Sequence, residues 1–155
     1  MKRLSLFLIV IGIILLSCKK APESKYEIAG KQSKIIVSMI DAVNEKNAEK
    51  YVSGFAENVK VFVESEMKVN GREDMRENRA NHFKNHPNVR SEIQHLVEID
   101  NKVIMHDKVW LDEYHKEGHN IVEIFTFENG EVIRVDVIQP TDLFRNVKMK
   151  PAANR

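Results

Sequence analysis

The sequence lacks several features that would define a function class at once. Its 155 residues include one cysteine, so no disulfide can form within the chain. Lys and Arg total 24 against 23 Asp and Glu, without the clustered basic excess that nucleic-acid binding usually needs. A phosphate-binding glycine loop, a G-x-S-x-G nucleophile motif and internal repeats are also absent. We therefore predict no nucleic-acid partner, and covalent catalysis through serine or cysteine is disfavoured.

One long apolar run is present, and it lies at the N-terminus. Lys2 and Arg3 precede a run from Leu4 to Leu16 that is broken only by Ser5 and Gly12. A helix over this run would reach about 20 Å, short of the roughly 30 Å hydrocarbon core of a bilayer. The run is therefore typical of the apolar region of a signal peptide rather than of a membrane-spanning helix.

The single cysteine, Cys18, follows Leu15-Leu16-Ser17, and this sequence resembles the bacterial lipoprotein signal. In that signal the chain is cut before the cysteine, which receives diacylglycerol and holds the protein to a membrane without spanning it. We predict a signal peptide over residues 1–17 and a lipidated cysteine with its tether over residues 18–30. The alternatives are an ordinary cleaved signal peptide or an uncleaved anchor. Two lysines and no acid follow the cysteine, which in enterobacteria favours the outer membrane, facing the periplasm, over the inner membrane.

Helical periodicity begins after the tether. Ile36, Met39, Ile40 and Val43 have the spacing of one helix face. Asn47 is a plausible cap for a second, short helix. The predicted helices cover residues 31–46, 48–55 and 72–84.

Strand periodicity dominates the second half of the chain. Val89, Ile93, Val97 and Ile99 are predicted to share one face of a long strand. Asn129-Gly130 is a strong hairpin signal. The predicted strands cover residues 58–64, 89–99, 102–113, 119–128 and 131–139. Helices followed by hairpin-linked strands imply an α+β domain over residues 31–139, with a polar tail over residues 140–155.

Three stretches of this domain occur in a recognisable order. They are Asp41–Asn47 with Tyr51–Phe62, then Gly71-Arg72-Glu73, then Phe125–Val132. Together they resemble the nuclear transport factor 2-like superfamily, in its SnoaL-like and ketosteroid-isomerase-like branch. The resemblance implies a curved antiparallel sheet wrapped on three N-terminal helices, with a conical pocket, and family members often dimerise through the sheet. Isomerases, dehydratases, cyclases, hydrolases and non-catalytic binding domains share this fold, so the fold alone does not give the function.

Glu123 is the first candidate functional residue, because it shares a strand face with Ile121, Phe125 and Phe127. Burying a charged group is costly unless it is paired or neutralised, so the pKa of this carboxyl group is expected to rise. A raised pKa suits a general acid or a hydrogen-bond donor. By the resemblance, the position also matches the pocket aspartate of ketosteroid isomerases. The alternative is a solvated or ion-paired glutamate at a strand edge.

His106 is the second candidate, and its role depends on which face of the strand over residues 102–113 lines the pocket. The resemblance turns His106 inward together with Trp110, where the imidazole could act as a general base near neutral pH. The opposite face of the strand is equally apolar, and it would place Asp107 inside instead.

Five aromatic residues are candidates for the lining of an apolar, ligand-binding pocket, and each could equally belong to the core: Phe55, Phe62, Phe83, Trp110 and Phe125.

Two positions depart from the isomerase pattern. The catalytic base would fall near Val63, which cannot take a proton, and the oxyanion-stabilising tyrosine would fall near Met39. A working ketosteroid isomerase is therefore disfavoured. Arg134 and Asp136 lie two residues apart on the last strand, and we interpret them as a surface ion pair rather than as the arginine–aspartate pair of an epoxide hydrolase.

Two histidine pairs have a spacing of four residues, His82 with His86 and His115 with His119. No third ligand has a recognisable spacing from either pair, so we predict no metal site and no cofactor.

Three functions remain open from the sequence. The favoured one is binding of a small apolar or amphipathic molecule in the conical pocket. The second is a cofactor-free isomerase, dehydratase or hydrolase that uses Glu123 and His106 as an acid–base pair. The third is a dimerising envelope interaction module whose cavity is filled by side chains.

Overall fold

The computed structural model describes residues 30–112 and 116–140. The predicted signal peptide, Cys18, the tether before Gly30 and the tail after Pro140 lie outside the described residues. Within the described ranges, no helix is long and apolar enough to cross a membrane.

Three helices precede or interrupt the sheet: α1 (Lys31–Asn44), α2 (Ala48–Val52) and α3 (Arg72–Asn85). The predicted apolar face of α1, from Ile36 to Val43, is buried. Asn47 caps α2, because its side-chain oxygen accepts a hydrogen bond from the Lys50 amide at 2.9 Å. Helix α2 ends earlier than predicted. Gly54 follows it at a point where an added Cβ would lie 2.5 Å from Ile35 Cγ2.

Six strands form one sheet: β1 (Phe55–Val63), β2 (Glu66–Asn70), β3 (Arg90–Ile99), β4 (Lys102–Trp110), β5 (His119–Glu128) and β6 (Glu131–Ile138). Their order across the sheet is β2-β1-β6-β5-β4-β3. Strand β2 was not predicted, because only Val69 of its five residues is buried and no alternation marks it. A tight turn with positive φ at Glu64 and Ser65 leads into it.

The sheet is curved and mixed rather than fully antiparallel. Strands β1 and β6 run parallel, with Val61 opposite Val135 and Val63 opposite Val137, and the other neighbours are antiparallel. The direction of β1 could not be predicted from local pattern, because its partner β6 is the most distant strand along the chain.

A bulge in β3 changes which residues face the helices. The register shifts between Ile93 and His95, so Leu96 is buried while Val97 and Ile99 are exposed. The prediction that Val97 and Ile99 share the face of Ile93 is therefore wrong, because one extra residue turns all following side chains to the opposite face.

The core lies between the helices and one face of the sheet. Its fully buried side chains come from α1, β1, β4, β5 and β6 and from the loop before β3, and include Ile36, Met39, Phe55, Met105 and Phe125. The start of α1 is tied to β3, because the Glu98 carboxylate accepts hydrogen bonds from the Ser33 amide at 2.8 Å and from the Ser33 hydroxyl at 2.6 Å. In the described part of the chain, no helix covers the opposite face of the sheet.

Candidate functional site

A cavity of about 420 Å³ opens between α3 and the inner face of the sheet. This volume is within the range of small-molecule sites, roughly 300–1,000 Å³. About half of its lining is apolar, and the aliphatic residues are Ile40, Val43, Val61, Val63, Val69, Val89, Val109, Ile121, Val135 and Val137. Among the described residues, Tyr51 is the one Phe, Tyr or Trp on the wall. Polar side chains lie along α3 at the opening and at one place on the sheet.

Strand β4 turns Asp107 into the cavity, and His106 lies on the outer face. Asp107 is 3% exposed and lines the cavity between Met105 and Val109. The Nδ1 atom of His106 lies 3.1 Å from the Nδ1 atom of His95, on the outside of the sheet. The expected inward facing of His106 is therefore wrong. Both faces of β4 carry apolar residues, so the pattern could not choose between them, and the sheet register made the choice.

Glu123 lines the cavity from β5, beside Asp107 on the same face. In the register of β4 and β5, Glu123 is opposite Met105 and Asp107 is opposite Ile121, so the two acids are diagonal neighbours. Burial, and then the neighbouring Asp107, raise the pKa of Glu123 to about 8, while the Arg79 guanidinium opposes the shift. Glu123 is therefore largely protonated at neutral pH and can donate a hydrogen bond into the cavity.

Asp107 keeps more of its charge than Glu123. Burial raises its pKa to about 6, against the opposing effects of a Ser91 hydrogen bond and the nearby His106 and Arg79. The Ser91 hydroxyl donates to Asp107 Oδ2 at 2.5 Å, while the buried Oδ1 atom has no protein partner in the described structure. One buried oxygen of this carboxylate thus has an unused capacity to accept a hydrogen bond.

Asn44 positions Ser91, and through it Asp107. The Asn44 side chain accepts a hydrogen bond from the Ser91 amide and donates one to the Ser91 carbonyl, both at 2.9 Å. These two bonds join the last residue of α1 to β3 directly behind the serine hydroxyl. The orientation of the Asp107 carboxylate therefore depends on a side chain on the far side of the helix–sheet interface.

Arg79 supplies the positive charge of the site. One of its terminal nitrogens donates to the Tyr51 hydroxyl oxygen at 3.0 Å, and its guanidinium lies 4.3 Å from the centre of the Tyr51 ring. Its buried Nε atom has no partner in the described structure. Burial raises the pKa of Tyr51 to about 12, despite the attraction of Arg79, so Tyr51 keeps its proton.

His82 lines the opening of the cavity on the same helix as Arg79. Burial lowers the pKa of His82 to about 3, and the positive charge of Arg79 adds to the shift. Its imidazole is therefore neutral at physiological pH.

At neutral pH the cavity combines hydrogen-bond donors on Glu123, Arg79 and Tyr51 with an acceptor on Asp107. This arrangement can bind the polar end of a small molecule whose remainder contacts the aliphatic walls. Two neighbouring carboxyl groups with pKa values on either side of 7 can also act as a base and an acid.

The aromatic residues predicted to line the pocket do not line it. Phe55, Phe83 and Phe125 belong to the packed core. Phe62 lies under the Arg134 guanidinium at 4.1 Å, and Trp110 lies under Arg90 at 3.5 Å. The prediction fails because an apolar aromatic shows only that a position is buried, and core and cavity wall share that property.

The remaining described residues that the sequence singled out lie in the cavity wall, the core and the outer face of the sheet. Val63, where an isomerase base would fall, lines the cavity, and Met39 lies in the core. Arg134 and Asp136 form an exposed ion pair at 2.6 Å, as interpreted from the sequence. His115 lies outside the described residues. In the part of the chain that the structure describes, no cluster of three or more His, Cys, Asp or Glu side chains is arranged to hold a metal.

Sequence reasoning missed Arg79, and one signal could have revealed it. Met75, Arg79 and Phe83 are spaced by four, so they share one face of α3, and both of the apolar residues are buried. A lone arginine on the buried stripe of a polar helix indicates a buried charge with a specific neighbour. No comparable local signal identifies Ser91 or Asn44.

Six curved strands, three helices and a cavity with two neighbouring acids define a conical α+β domain of the nuclear transport factor 2-like fold. The chain belongs to the SnoaL-like domain family, whose model matches residues 36–135.

Solved structures agree with this fold. A cystatin-fold protein from Novosphingobium aromaticivorans is 22% identical with a TM-score of 0.63, over 70% of this chain and 97% of that one. A SnoaL-like protein of unknown function from Burkholderia thailandensis is 15% identical with a TM-score of 0.62, over 71% and 95%. A Kribbella flavida protein provisionally named a ketosteroid isomerase is 18% identical with a TM-score of 0.60, over 71% and 78%. At these identities the likeness shows the fold alone. A search of curated proteins finds no match.

Proposed function

We propose that this protein is a membrane-anchored lipoprotein of the cell envelope whose SnoaL-like domain binds a small amphipathic molecule in its cavity. The observation that carries the proposal is the pair of buried polar atoms without protein partners, Asp107 Oδ1 and Arg79 Nε, beside a cavity of about 420 Å³. An unsatisfied buried polar group costs about 1–3 kcal/mol, so such groups are rare unless they meet a ligand or water.

The chemistry of the walls suggests how the molecule lies. Its polar end would contact Asp107, Glu123 and Arg79, where it would offer a donor to the carboxylate and an acceptor to the guanidinium and the protonated acid. Its apolar part would extend along the valines of β1 and β6. Among the described residues, Tyr51, His82 and His86 supply the rings of the lining, so aliphatic shape more than ring stacking would select the ligand.

Native mass spectrometry of the full chain, purified from its own membranes in detergent, tests the binding proposal. We expect a retained small molecule in the wild type, and at least a tenfold lower occupancy in Glu123→Gln and Arg79→Gln. Glu128→Gln is the matched control, because Glu128 is an exposed acid at the end of the same strand, β5. An empty wild-type cavity, or equal occupancy in all variants, would contradict the proposal.

The membrane anchor is proposed from the position of the only cysteine. It follows an apolar run too short to span a bilayer, at the place where a lipoprotein signal would be cut. Metabolic labelling with an alkyne fatty acid should label the wild type and not Cys18→Ser, and only the wild type should fractionate with membranes, with the outer membrane expected. Unlabelled wild-type protein would refute the anchor without touching the binding proposal.

A second candidate is a cofactor-independent enzyme that transfers a proton, and the divergent pKa values of Asp107 and Glu123 favour it. Asp107 would take a proton from a carbon next to a carbonyl group, and Glu123 would donate to the carbonyl oxygen. Asp107 replaces His106 in this role, because His106 lies on the outer face of the sheet.

Such activity would need an ionised Asp107 and a protonated Glu123 at the same time. We expect kcat/KM to fall below about pH 6 and above about pH 8, and Asp107→Asn to lower kcat by at least about a hundredfold. Deuterium exchange into a panel of aliphatic ketones measures the proton transfer directly. Exchange that persists in Asp107→Asn would exclude this mechanism.

A further inference from the structure

Two histidines meet on the outer face of the sheet, away from the cavity. His95 on β3 and His106 on β4 are directly opposite in the register, and their rings are nearly parallel at 9°. The Nδ1 atoms of the two rings lie 3.1 Å apart. His95 is exposed and His106 is partly exposed, so solvent can reach the pair.

The second nitrogen of His106 is held by a neighbouring strand. His106 Nε2 lies 3.1 Å from Asn120 Oδ1 on β5. An amide oxygen only accepts, so Nε2 carries the proton and the Nδ1 lone pair of neutral His106 is directed at His95. A second ring nitrogen that donates to an oxygen is the arrangement found in most metal-binding histidines, because it fixes the tautomer and the ring orientation.

The separation of the two Nδ1 atoms also suits a metal. With metal–nitrogen bonds of about 2.0–2.1 Å, nitrogens at this separation subtend an angle of roughly 100° at the ion. That angle is between the square-planar and tetrahedral values. The backbone pairing of β3 and β4 holds the two rings side by side. Their Nδ1 atoms point at each other in the metal-free structure, so each ring turns in its own plane before both lone pairs meet one ion.

We propose that His95 and His106 form a two-nitrogen site for a divalent transition-metal ion, with Cu²⁺ bound more tightly than Zn²⁺. Binding displaces the single proton that lies between the two Nδ1 atoms. Neutral His95 takes up that proton on its exposed Nε2, so the pair needs no net loss of a proton. Water fills the remaining coordination positions. Imidazole ligands and an open geometry favour Cu²⁺ in the usual order of divalent affinities.

Copper titration of the full chain in detergent tests the proposal. The chain carries Cys18→Ser, because a cysteine thiol would compete for Cu²⁺. Calorimetry gives the Kd, and electron paramagnetic resonance reports nitrogen ligands on Cu²⁺. We expect His95→Gln and His106→Gln each to raise the Kd at least tenfold and to remove one nitrogen from the spectrum. Asn120→Ala should raise the Kd severalfold, because it frees the ring of His106.

His86→Gln is the matched control, since His82 and His86 form the second close histidine pair among the described residues, with ring centres 4.8 Å apart on α3. This variant should bind Cu²⁺ like the parent chain. Loss of binding in His86→Gln, equal binding in His95→Gln, or a parent Kd weaker than about 100 µM would each overturn the proposal. Thermal melts of all variants confirm that they remain folded, as expected for substitutions outside the core.

Discussion

Glu123 connects the site to the pH dependence of stability. Its pKa rises from an ordinary 4.5 to about 8 in the folded chain, because burial and Asp107 disfavour the charged form. Between these values the folded state binds more protons than the unfolded state. Below about pH 4.5 the Glu123 carboxyl group therefore contributes its full amount to the free energy of unfolding, and this contribution is lost as the pH rises toward 8. Asp107 changes the stability in the same direction, between its ordinary pKa of 3.8 and its pKa of about 6 in the folded chain.

We predict that Glu123→Gln flattens this dependence. Between about pH 5 and pH 8.5 the wild type should lose at least about 1 kcal/mol more stability than the variant, because the amide carries no charge to bury. Urea unfolding at a series of pH values measures the difference. Glu128→Gln, at the exposed end of the same strand, should follow the wild type. Parallel curves for wild type and Glu123→Gln would show that Glu123 ionises in the folded state as it does in water.

At the scale of elements, the contact between α1 and β3 controls the site from outside the cavity. Asn44 makes two hydrogen bonds to the backbone of Ser91, and Ser91 holds Asp107. Glu98 ties the other end of the same helix to the same strand through Ser33. The helix is thus fixed to the strand at both ends, which keeps the acid in one orientation.

We predict that Asn44→Ala lowers the free energy of unfolding by about 1–3 kcal/mol, because it leaves a partly buried amide and carbonyl of Ser91 without partners. Asn44→Asp should have an intermediate effect, since a carboxylate still accepts from the amide but cannot donate to the carbonyl. Chemical denaturation measures both changes. If Asn44→Asp were as unstable as Asn44→Ala, the hydrogen bond that the Ser91 amide donates would contribute nothing to stability.

Elements also show where prediction from sequence succeeds. The face of α1 was predicted correctly, because its four apolar residues follow the helix repeat and are buried where α1 packs on the sheet and on α2. The buried face of β3 was not predicted correctly, because the bulge between Ile93 and His95 breaks the two-residue alternation of side chains. A bulge is a property of the strand pair and has no signal in the alternation of one strand.

At the scale of the whole molecule, the outer face of the sheet carries exposed apolar side chains. Val97, Ile99 and Ile138 are 48%, 54% and 61% exposed. In the register, Val97 is opposite Ile104 and Ile104 is opposite Ile124, while Ile138 is opposite Val122, so the apolar side chains form a diagonal band from β3 to β6. Contiguous apolar surface of this kind is typical of protein–protein contact.

We predict that the domain forms a homodimer through this band. Ile138→Glu and Val97→Glu should each weaken the dimer at least tenfold, because a charge would be buried at the contact. Neither should change the melting temperature of the monomer, since both side chains are exposed. Sedimentation over a concentration series measures the dissociation of the dimer. A chelator is present, because a metal ion bound to His95 and His106 on this face could change the association. A wild type that remains monomeric at about 100 µM would contradict the prediction.

The sequence by itself determined the α+β class, the buried face of α1, the Asn129-Gly130 hairpin and an acid on the inner face of β5. These are properties of single elements or of neighbouring ones, where periodicity and turn chemistry record burial directly. The tertiary structure alone decided that β1 runs parallel to β6, that Asp107 rather than His106 faces the cavity, and that Arg79 and Ser91 line the cavity with Asn44 behind Ser91. Each of those outcomes depends on strand register and helix placement. They bring together residues far apart in the chain, whose contacts leave no trace in local pattern.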